Sequence, residues 1–525
     1  MSSYSSAERR LRNIIDQGEA HAVRCGQIGL EKESLRVQAD GAIAQSPHPR
    51  ALGSALAHPY ITTDYSEALL ELITPPGDDS AKTLQFLCDT HRFVYSGLGD
   101  EFLWATSMPC MLGGEDSIPI AQYGSSNPGR MKHIYRRGLG YRYGRVMQVI
   151  AGVHFNFSMS EAFWPVRQAL EGVTGSSVGF VSESYMGMLR NLQRLGWLVP
   201  YLFGASPAVC VSFFKGRETR LPKFDAYTHY EPYATSLRMG DIGYTNAKEG
   251  ESGIKVCYDS LSSYIDSLEC AIRTPYPKYE EIGVKVDGQY RQLNANILQI
   301  ENEYYSSVRP KQVLENGERP ALALKRRGVR YIELRSLDVN AYHPLGVSPE
   351  QMRFIEALLI FALFCDSPLV DADERRDIDA NFLRVAHRGR EPGLTLRRHA
   401  WEVDMRDWAE EILDAMGAFC ELLDGGSSGV YCHALERQRA KVRDPEETPS
   451  ARMLREMRER KESFHAFALR MSLEHRNFFL AQGLSEERRA FFEQLAETSL
   501  ATQARLENET NLPLDDYIAA YFADR

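Results

Sequence analysis

The sequence lacks paired cysteines. Its nine cysteines lie singly along 525 residues, with no Cys-x-x-Cys pair and no Cys/His spacing of the kind that binds zinc. An odd number of scattered cysteines in a long chain is typical of a reducing compartment and argues against a disulfide framework. The N-terminal segment MSSYSSAERRLRNIIDQ also lacks the apolar region of a secretory signal. We therefore expect a cytoplasmic protein.

Long apolar runs and an excess of positive charge are absent too. The most apolar stretch, FIEALLIFALF at residues 354–364, contains Glu356. It is too short to span a bilayer, so we expect a buried helix and no membrane contact. The formal net charge is −10, whereas proteins that bind nucleic acids usually carry a basic face. Nucleic acid is therefore not an expected partner, although an acidic protein can still bind an anionic substrate in a basic cleft.

Several common nucleotide and hydrolase motifs are missing. The sequence has no Gly-x-x-x-x-Gly-Lys-Ser/Thr loop and no His-Glu-x-x-His motif, and GLGYRYG at residues 138–144 lacks the dinucleotide-binding spacing. Gly-x-Ser-x-Gly occurs at residues 175–179 and 425–429. Neither copy follows the apolar strand that a nucleophile elbow requires, so both are interpreted as plain loops.

The order of the predicted elements indicates an α+β fold. Strands are predicted at residues 28–37, 68–74, 150–158, 292–301 and 329–338, and helices at 7–17, 177–206 and 258–274. Because the strands do not recur in strand–helix units, an antiparallel or mixed sheet with helices on one side fits better than a doubly wound sheet. Further along, helices are predicted at 349–366 and 400–424, and helical periodicity continues from residue 433.

The chain is long enough for two or three packed units. We predict a sheet-based unit with an N-terminal helix over residues 1–348 and a mostly helical part packed on it over residues 349–525. The many charges of the C-terminal helices are interpreted as solvated helix faces in preference to a partner-binding surface.

Two glutamates interrupt the first predicted strand, IGLEKESLRV at residues 28–37. Side chains two positions apart point the same way in a strand, so Glu31 and Glu33 share one face and Lys32 lies on the other. Two like charges repel each other, and a hard divalent cation such as Mg²⁺ between them relieves the repulsion. The alternative is an exposed edge strand with solvated acids.

Other segments repeat this pattern. TTDYSEALLELITPP at residues 62–76 carries Asp64, Glu67 and Glu71, and its LLELI core predicts a strand. In AGVHFNFSMS, His154 alternates with apolar residues, and in RYIELRSLDVN, Glu333 and Arg335 do so. Taken alone, a strand histidine is more often a simple hydrogen-bonding residue. If these strands form one sheet, however, its polar face can bind two or three Mg²⁺ ions and the phosphates of a nucleotide, with Arg335 adding positive charge.

The sequence resembles the proteobacterial type of the glutamate–cysteine ligase family. The matching stretches run in order from about residue 25 to 396: GLEKESLRV, ALGSALAHPYITTDYSEALLELITP, SMPC, AQYGSSNPGRMKHIYRRGL, RYGRVMQVIAGVHFNFS, RLGWLVPYLFGASPA, PYATSLRMGDIGYTN, LNANILQIENEYYSSVRPK, ALKRRGVRYIELRSLDVN and EPGLTL. A weaker match, SARMLREM, continues into the C-terminal helices. No second ATP-binding domain follows, which favours the single-reaction form of the enzyme.

The resemblance implies a curved, mainly antiparallel sheet like the catalytic domain of glutamine synthetase, with metals on its concave face and helices on the outer side. It implies ATP-dependent ligation of the L-glutamate γ-carboxylate to the L-cysteine amine through a γ-glutamyl phosphate, the first step of glutathione biosynthesis. The implied small-molecule partners are glutamate, cysteine and ATP as co-substrate. We expect a monomer.

The resemblance also assigns residues. The implied ligands of Mg²⁺, or of Mn²⁺, are Glu31, Glu33, Asp64, Glu71, His154 and Glu333. Glu67 is the reserve candidate for the position of Asp64. Arg238 would bind the glutamate carboxylate, since arginine offers a planar fork to a carboxylate. The cysteine substrate would be surrounded by Tyr65, Tyr135, Tyr244 and Tyr304, with Arg136 at its carboxylate. Arg309 and Arg335 would contact phosphate.

Three alternatives stay open. A related ligase with the same metal face could use another amine acceptor, and the tyrosine pocket would distinguish it. A non-catalytic homologue could act as a scaffold through its helical C-terminal part, although the complete set of acidic ligands argues against this. A Mg²⁺-dependent phosphohydrolase could use a similar face and release phosphate without any amine.

Overall fold

A seven-stranded sheet forms the centre of the computed structural model, which describes residues 4–242, 255–315, 317–426, 429–509 and 512–523. The strands are β1 (Gln27–Val37), β2 (Ile61–Thr63), β3 (Leu69–Ile73), β4 (Phe102–Leu103), β5 (Gly152–Ser158), β6 (Ala208–Cys210), β7 (Thr228–Tyr230), β8 (Lys285–Val286), β9 (Gln289–Tyr290), β10 (Val308–Lys311), β11 (Tyr331–Asp338), β12 (Thr395–Arg398) and β13 (Trp401–Asp404). The central sheet has the order β10–β11–β5–β1–β3–β2, and β4 pairs with the end of β1.

All pairings between these strands are antiparallel, which confirms the mainly antiparallel sheet expected from the sequence. The pairs β6–β7, β8–β9 and β12–β13 form three separate two-stranded sheets. A register shift between Leu334 and Leu337 marks a bulge where β11 runs beside β5. Such bulges bend a strand and re-aim its side chains.

The register of the central sheet places the polar residues of four strands in neighbouring positions. Glu31 on β1 lies opposite His154 on β5, and Glu33 lies opposite Glu71 on β3. On the other side of β5, Asn156 lies opposite Glu333. Because side chains alternate along a strand, these residues share one face. The prediction that the acidic segments belong to one sheet is confirmed.

The opposite face of the sheet is buried against helices. Leu30 on β1 and Phe155 and Phe157 on β5 are fully buried there. Lys32 also lies on this side, with its Nζ 3.2 Å from Nε2 of His91 in the helix Ser80–Gly97. The carboxylate of Asp79 begins that helix by accepting hydrogen bonds from the amides of Ala81 and Lys82, as a good N-cap does.

The helices before residue 349 are Ser5–Asp16, Ala20–Val23, Ser80–Gly97, Asn127–Tyr143, Phe163–Leu170, Ser177–Leu195, Leu198–Phe203, Val211–Phe214, Leu261–Arg273, Pro277–Ile282 and Pro320–Arg327. After it come Pro349–Phe364, Ala372–Arg388, Met405–Asp424, Val430–Arg443, Pro449–Arg460, Phe464–Ala481, Glu486–Asn508 and Leu514–Phe522. Short 3₁₀ turns lie at Arg50–Leu52, Glu115–Ser117, Val146–Val149, Leu237–Met239, Glu301–Glu303 and Pro445–Glu447. No helix in these ranges is long and apolar enough to cross a membrane.

One hydrophobic core runs through both parts of the chain. Its buried residues extend from Tyr4 to Ala496 without a break at residue 348. The helix Pro349–Phe364 is almost entirely buried, as expected for the apolar run at residues 354–364. The division of the chain into two units at residue 348 stays a prediction.

Some local predictions were wrong. The segment 292–301 is not a strand, because Gln299 and Asn294 bond to nearby backbone instead: Gln299 accepts from the Leu293 amide and Asn294 from the Asn296 amide. Such local side-chain bonds compete with strand pairing. The single helix predicted at 177–206 is two helices, Ser177–Leu195 and Leu198–Phe203. The strand Val308–Lys311 was missed, since it contains Pro310, which is rare in strands.

Candidate active site

A cavity of about 540 Å³ lies over the polar face of the central sheet. This volume is in the range typical of small-molecule sites. Its walls come from the helix Asn127–Tyr143, the segment 146–150, Arg238, the segment 293–311 and the C-terminal helix Leu514–Phe522. We call this cavity the basin. The acidic residues of the sheet form its floor.

Four side chains form a compact cluster on the floor. Nδ1 of His154 lies 3.0 Å from Oε2 of Glu31 and 3.5 Å from Oε1 of Glu333. The Asn156 side chain donates to the second oxygen of Glu31 at 2.9 Å. Ligand atoms of Glu31, His154 and Glu333 all lie within 4.8 Å of one another. Two carboxylates and one imidazole at this spacing form a candidate metal centre.

A second acidic group extends the floor across β1 and β3. Glu33 accepts a hydrogen bond from the Gly152 amide at 2.6 Å, and its other oxygen lies 3.6 Å from Nε2 of His154. Glu71 and Asp64 also line the basin. Among the described residues, no side chain or amide makes a hydrogen bond or ion pair with the Glu71 carboxylate. Glu71 is half-buried, and an acid partly withdrawn from water is costly without a partner, so a cation fits this position.

Glu67 does not belong to this group. Its carboxylate accepts hydrogen bonds from the amides of His48 at 2.8 Å and Gln122 at 2.7 Å. Both oxygens are therefore used in holding two loop segments together. Asp64, and not Glu67, is the acid that lines the basin beside Glu71.

The electrostatics divide the floor into two halves. Burial alone would raise the pKa of Glu31 and Glu333, but the hydrogen bond from His154 lowers the pKa of Glu31, and Arg335 and Lys311 hold the pKa of Glu333 well below its usual value. Burial raises the pKa of Glu33, and burial together with the negative charges of neighbouring acids raises the pKa of Glu71 well above its usual value. A bound divalent cation would reverse these upward shifts, because it favours the ionised form.

The donor set fits a hard divalent cation. Carboxylate oxygens dominate it, one imidazole nitrogen is included, and no cysteine lines the basin within the described part of the chain. Such ligands suit Mg²⁺ and Mn²⁺ better than soft metals. All six residues predicted as metal ligands line this one cavity.

Basic side chains lie next to the candidate metal centre, towards β10 and β11. Nη1 of Arg335 lies 2.9 Å from Oε1 of Glu333, and Nζ of Lys311 lies 3.2 Å from the other oxygen of Glu333. Arg309 pairs with Glu333 in the register, and its guanidinium donates to the backbone carbonyls of Tyr304 and Asn302. These three cations can meet the oxygens of a phosphate chain beside the candidate metal centre.

Arg238 approaches the floor from a different side. It follows the N-cap Ser236 of the 3₁₀ turn Leu237–Met239. Its guanidinium donates to the Arg335 carbonyl at 3.0 Å and lies 3.6 Å from a carboxylate oxygen of Asp338. A Cβ atom at Gly152 would lie only 2.0 Å from Nη2 of Arg238, so this glycine makes room for the arginine. Arg238 therefore has a fixed position at the basin.

The predicted cysteine-binding residues separate into groups. Tyr65, Tyr135 and Arg136 line the basin. The Arg136 guanidinium lies over the ring of Tyr123, at 4.7 Å from its centroid, and donates to the Asp64 carbonyl. Tyr135, Arg136 and Leu139 share one face of the helix Asn127–Tyr143, which begins at the N-cap Ser126.

One predicted tyrosine, Tyr304, does not line the basin. The Tyr304 side chain is buried in the hydrophobic core, at 9% exposure, and its neighbour Tyr305 lines the basin instead. Tyr244 lies outside the described residues. Along this segment the sequence alone does not reveal which of two adjacent tyrosines points into the cavity, because no regular strand fixes the alternation.

Sequence reasoning missed several lining residues. They include Lys132, Gln148, Leu293, Ile300, Asn302, Lys311, Tyr517 and Tyr521. Lys311 could have been found, since it lies two positions after Arg309 in VRPK and strand alternation places both on one side. The two C-terminal tyrosines had no such signal, because only the folded chain brings residues 517 and 521 to the basin.

Carboxylates that could hold divalent cations, next to basic side chains, are a combination used by enzymes that transfer phosphoryl groups from nucleotides. The glutamate–cysteine ligase family model matches residues 11–385. The chain belongs to the glutamate–cysteine ligase family.

Relatives of known name cover almost the whole chain. It is 52% identical over 496 residues to the glutamate–cysteine ligase of Pseudomonas paraeruginosa, covering 94% of each chain. It is 50% identical over 519 residues to that of Azotobacter vinelandii, covering 98% of each.

Two solved structures share the fold. The glutamate–cysteine ligase of Francisella tularensis in complex with AMP is 36% identical, with a TM-score of 0.88 and coverage of 94% of this chain and 97% of that one. A bifunctional glutathione synthetase from Pasteurella multocida is 26% identical, with a TM-score of 0.74; the match covers 93% of this chain and 58% of that one. These matches agree with the α+β fold described above.

Proposed function

We propose that the basin catalyses the ATP-dependent ligation of L-glutamate to L-cysteine, the first step of glutathione biosynthesis. One observation carries the proposal: the acidic cluster of Glu31, His154 and Glu333 lies in the same cavity as the cations Arg335 and Lys311, which contact Glu333 directly. That combination suits a phosphate chain bound through divalent cations. The family match supports the choice of glutamate and cysteine as the amino-acid substrates.

The reaction has two steps. An oxygen of the glutamate γ-carboxylate attacks the γ-phosphorus of ATP, the bond to the ADP oxygen breaks, and γ-glutamyl phosphate forms. The amine nitrogen of cysteine then attacks the γ-carbonyl carbon, phosphate leaves, and the nitrogen loses a proton. Neither step needs a covalent bond to the protein, so positioning and charge stabilisation supply most of the rate acceleration.

The chain's own residues take distinct roles. Arg335 and Lys311 stabilise the charge of the transferring phosphoryl group, and Arg309 contacts the phosphates farther from the cluster. Arg238 binds the glutamate carboxylate through its planar fork. Tyr65, Tyr135 and Arg136 form the cysteine side of the basin, and Tyr244 stays a prediction there. Tyr304 is not kept in this role, because its side chain packs in the hydrophobic core.

The six acidic and imidazole ligands of the floor are assigned to Mg²⁺, with Mn²⁺ as the alternative. They are Glu31, Glu33, Asp64, Glu71, His154 and Glu333. When bound, these ions would offset the negative charge of the ATP phosphates. Two observations support this assignment. No group among the described residues donates a hydrogen bond to the Glu71 carboxylate, and the pKa values of Glu33 and Glu71 are raised.

The cellular setting is also proposed. All nine cysteines have free thiols, which supports a reducing compartment, and we place the enzyme in the cytoplasm. We propose that it acts as a monomer.

The test is to incubate the purified chain with ATP, Mg²⁺, glutamate and cysteine, and to follow ADP release and product mass. ADP release that requires both amino acids, with a γ-glutamylcysteine mass, is the expected result. ADP release without cysteine would overturn the proposal in favour of a phosphohydrolase. A faster reaction with a different small amine would identify a related ligase, and no release from a folded sample would favour the scaffold. Binding of Mn²⁺ alone, followed by its paramagnetic resonance signal, tests the floor separately.

A further inference from the structure

The turn that carries the predicted glutamate-binding arginine lies against the end of the helix Ala372–Arg388. The carbonyl of Ala386 accepts hydrogen bonds from the amides of Thr235 at 2.9 Å and Ser236 at 3.1 Å, which come just before that turn. The last carbonyls of a helix have no partner within it. The segment 231–241 is therefore held by groups that the helix leaves available.

The next residue of the helix, His387, makes two contacts with the same segment. Its Nδ1 lies 2.7 Å from Oε2 of Glu231, and its Nε2 lies 3.0 Å from Oδ1 of Asp241. The ring also packs directly on the backbone of Gly240, since a Cβ atom there would lie only 2.5 Å from Nε2. The imidazole thus joins the two ends of the segment, with Arg238 between them. We call the contacts of His387 with Glu231 and Asp241 the clamp.

Only the protonated imidazole satisfies both contacts of the clamp. Neutral histidine carries a hydrogen on one ring nitrogen, so it donates to one carboxylate and turns a lone pair towards the other. Burial alone would lower the pKa of His387, but the hydrogen bond with Glu231 and the charges of Glu231 and Asp241 raise it above its ordinary value. The clamp is therefore intact below that pKa and weakens as pH rises through it.

The neighbouring arginines do not share this pH dependence. Arg388 follows His387 and pairs with Glu391 at the same helix end. Arg390 donates to two backbone carbonyls of the segment. Both arginines keep their charge in the neutral range. His387 is therefore the residue of this helix end that changes charge near neutral pH.

The segment reaches the basin through Arg238. The Ser236 hydroxyl donates to Oδ1 of Asp338 at 2.9 Å, and Nη1 of Arg238 lies 3.6 Å from the same oxygen. Arg238 lines the basin, whereas His387 does not. Any effect of His387 on the site therefore passes through the segment that it holds.

We propose that His387 is a positioning residue for Arg238: with its two carboxylate partners it fixes the turn from which this arginine reaches the substrate. The inference rests on the proposed role of Arg238 in binding glutamate. It adds a pH dependence to that role, because the protonated clamp holds both ends of the segment and the neutral one holds a single end. The affinity for glutamate should fall as His387 loses its proton.

The first test compares His387→Gln with wild type from pH 6 to pH 9. Glutamine has no positive charge, so KM for glutamate at pH 6 should rise by about 5- to 20-fold, in the lower part of the range for coupling between linked sites. The ratio of the variant and wild-type KM values should approach one as the wild-type imidazole loses its proton. Ionisation of the substrates cancels in this ratio. KM for cysteine and for ATP should stay within about twofold of wild type at each pH.

Glu231→Gln is the second variant, because it keeps a hydrogen-bond acceptor for Nδ1 of His387 and removes the negative charge. The pKa of His387 should fall, so the rise in KM for glutamate should begin at lower pH than in wild type. Arg388→Gln is the matched control. It removes the positive charge next to His387, but that charge pairs with Glu391 and not with the segment. KM for glutamate in this control should stay within about twofold of wild type.

Several results would overturn the inference. They are equal increases in KM for glutamate and cysteine in His387→Gln, a KM ratio that does not change with pH, and a lower Tm with unchanged KM, which is the result expected of a merely structural ion pair. If His387→Gln does not fold, Glu231→Gln decides, and an unshifted pH profile would overturn the inference.

Glutamate binding separates this inference from the proposed function. It is measured by calorimetry at pH 6 with a non-hydrolysable ATP analogue and without cysteine, so it needs no turnover. Binding should be weaker in His387→Gln than in wild type, and equal binding would overturn the inference. Failure of the ligation assay, with glutamate binding that still depends on His387, would count against the proposed function alone.

Discussion

Glu33 on β1 lies directly opposite Glu71 on β3 in the register of the central sheet. Like charges directly opposite each other destabilise a sheet, and burial makes the repulsion stronger. The pKa of both carboxyl groups is raised, that of Glu33 first by burial and that of Glu71 by burial and by its acidic neighbours, Glu33 among them. This unfavourable pairing supports the proposal that a cation binds between the two carboxylates.

Replacing Glu71 should weaken metal binding without unfolding the protein. Among the described residues, no group donates a hydrogen bond to the Glu71 carboxylate. Glu71→Gln removes its negative charge, so the affinity for Mn²⁺ should fall by about 10- to 100-fold, as is common when metal sites lose a supporting group. Turnover at saturating Mg²⁺ should fall as well. The measurements are Mn²⁺ binding by paramagnetic resonance and the Mg²⁺ dependence of ADP release.

Glu67→Gln is the matched control, since Glu67 lies four residues earlier and does not line the basin. It accepts hydrogen bonds from two backbone amides, and a glutamine can accept only one of them. The free energy of unfolding should fall by about 1–3 kcal/mol, the cost of leaving a buried polar group unpaired. Mn²⁺ affinity should stay the same. The reverse pattern in the two variants would show that Glu67 is the ligand.

Arg238→Ala should affect glutamate more than cysteine. Loss of a charged hydrogen-bond donor costs about 1.5–3 kcal/mol, which corresponds to about a 10- to 150-fold rise in KM for glutamate. The fold should survive because Asp338 keeps hydrogen bonds from the Ala205 amide and from the hydroxyls of Ser206 and Ser236. Arg238→Lys should recover only part of the affinity, since lysine lacks the planar fork. Equal increases in KM for both amino acids would place Arg238 away from the glutamate site.

Tyr65→Phe should separate stability from function. The Tyr65 side chain lines the basin, its hydroxyl is buried, and that hydroxyl has no hydrogen-bond partner among the described residues. Removing an unpaired buried hydroxyl does not cost folding free energy, so Tm should be unchanged or higher. If the hydroxyl contacts a substrate, kcat/KM for cysteine should fall by about tenfold, equal to about 1.4 kcal/mol. Unchanged kinetics with a higher Tm would remove Tyr65 from the substrate site.

Strand alternation explains why so much of the floor could be predicted. Glu31, Glu33, His154 and Glu333 lie in regular strands, where the period of two and the apolar neighbours fix the direction of each side chain. β1, β3, β5 and β11 were therefore found within a few residues of their observed ends. The functional face followed from the same alternation.

Irregular segments explain what could not be predicted. Between residues 292 and 307 the backbone follows side-chain hydrogen bonds of Gln299 and Asn294, so a strand was predicted where none exists and Tyr304 was chosen where Tyr305 lines the basin. The contribution of Tyr521 depends on tertiary docking of a helix that begins 176 positions after the end of β11 in the sequence. No local pattern reports that kind of contact.

The buried Glu356 gives the protein a pH-dependent stability that is independent of the basin. Its carboxyl group is 4% exposed within an apolar helix and accepts a hydrogen bond from the Tyr431 hydroxyl at 2.7 Å. Burial raises the pKa of Glu356 to about 7. In the unfolded chain the pKa returns to its ordinary value near 4.3, so the folded state binds the proton more tightly.

The higher pKa of Glu356 in the folded state determines how the free energy of unfolding changes with pH. The stabilisation is fully present below about pH 4, and it is lost as pH rises through about 7, because the unfolded state releases its proton first. The loss attributable to this one group is of the order of 3 kcal/mol. Glu356→Gln cannot ionise, so its free energy of unfolding should exceed that of wild type at pH 8 and approach it at pH 5. Urea unfolding at both pH values measures this, with the exposed Glu487→Gln as control. If the free energy of unfolding changes between pH 5 and pH 8 by the same amount in Glu356→Gln as in wild type, another group carries the pH dependence.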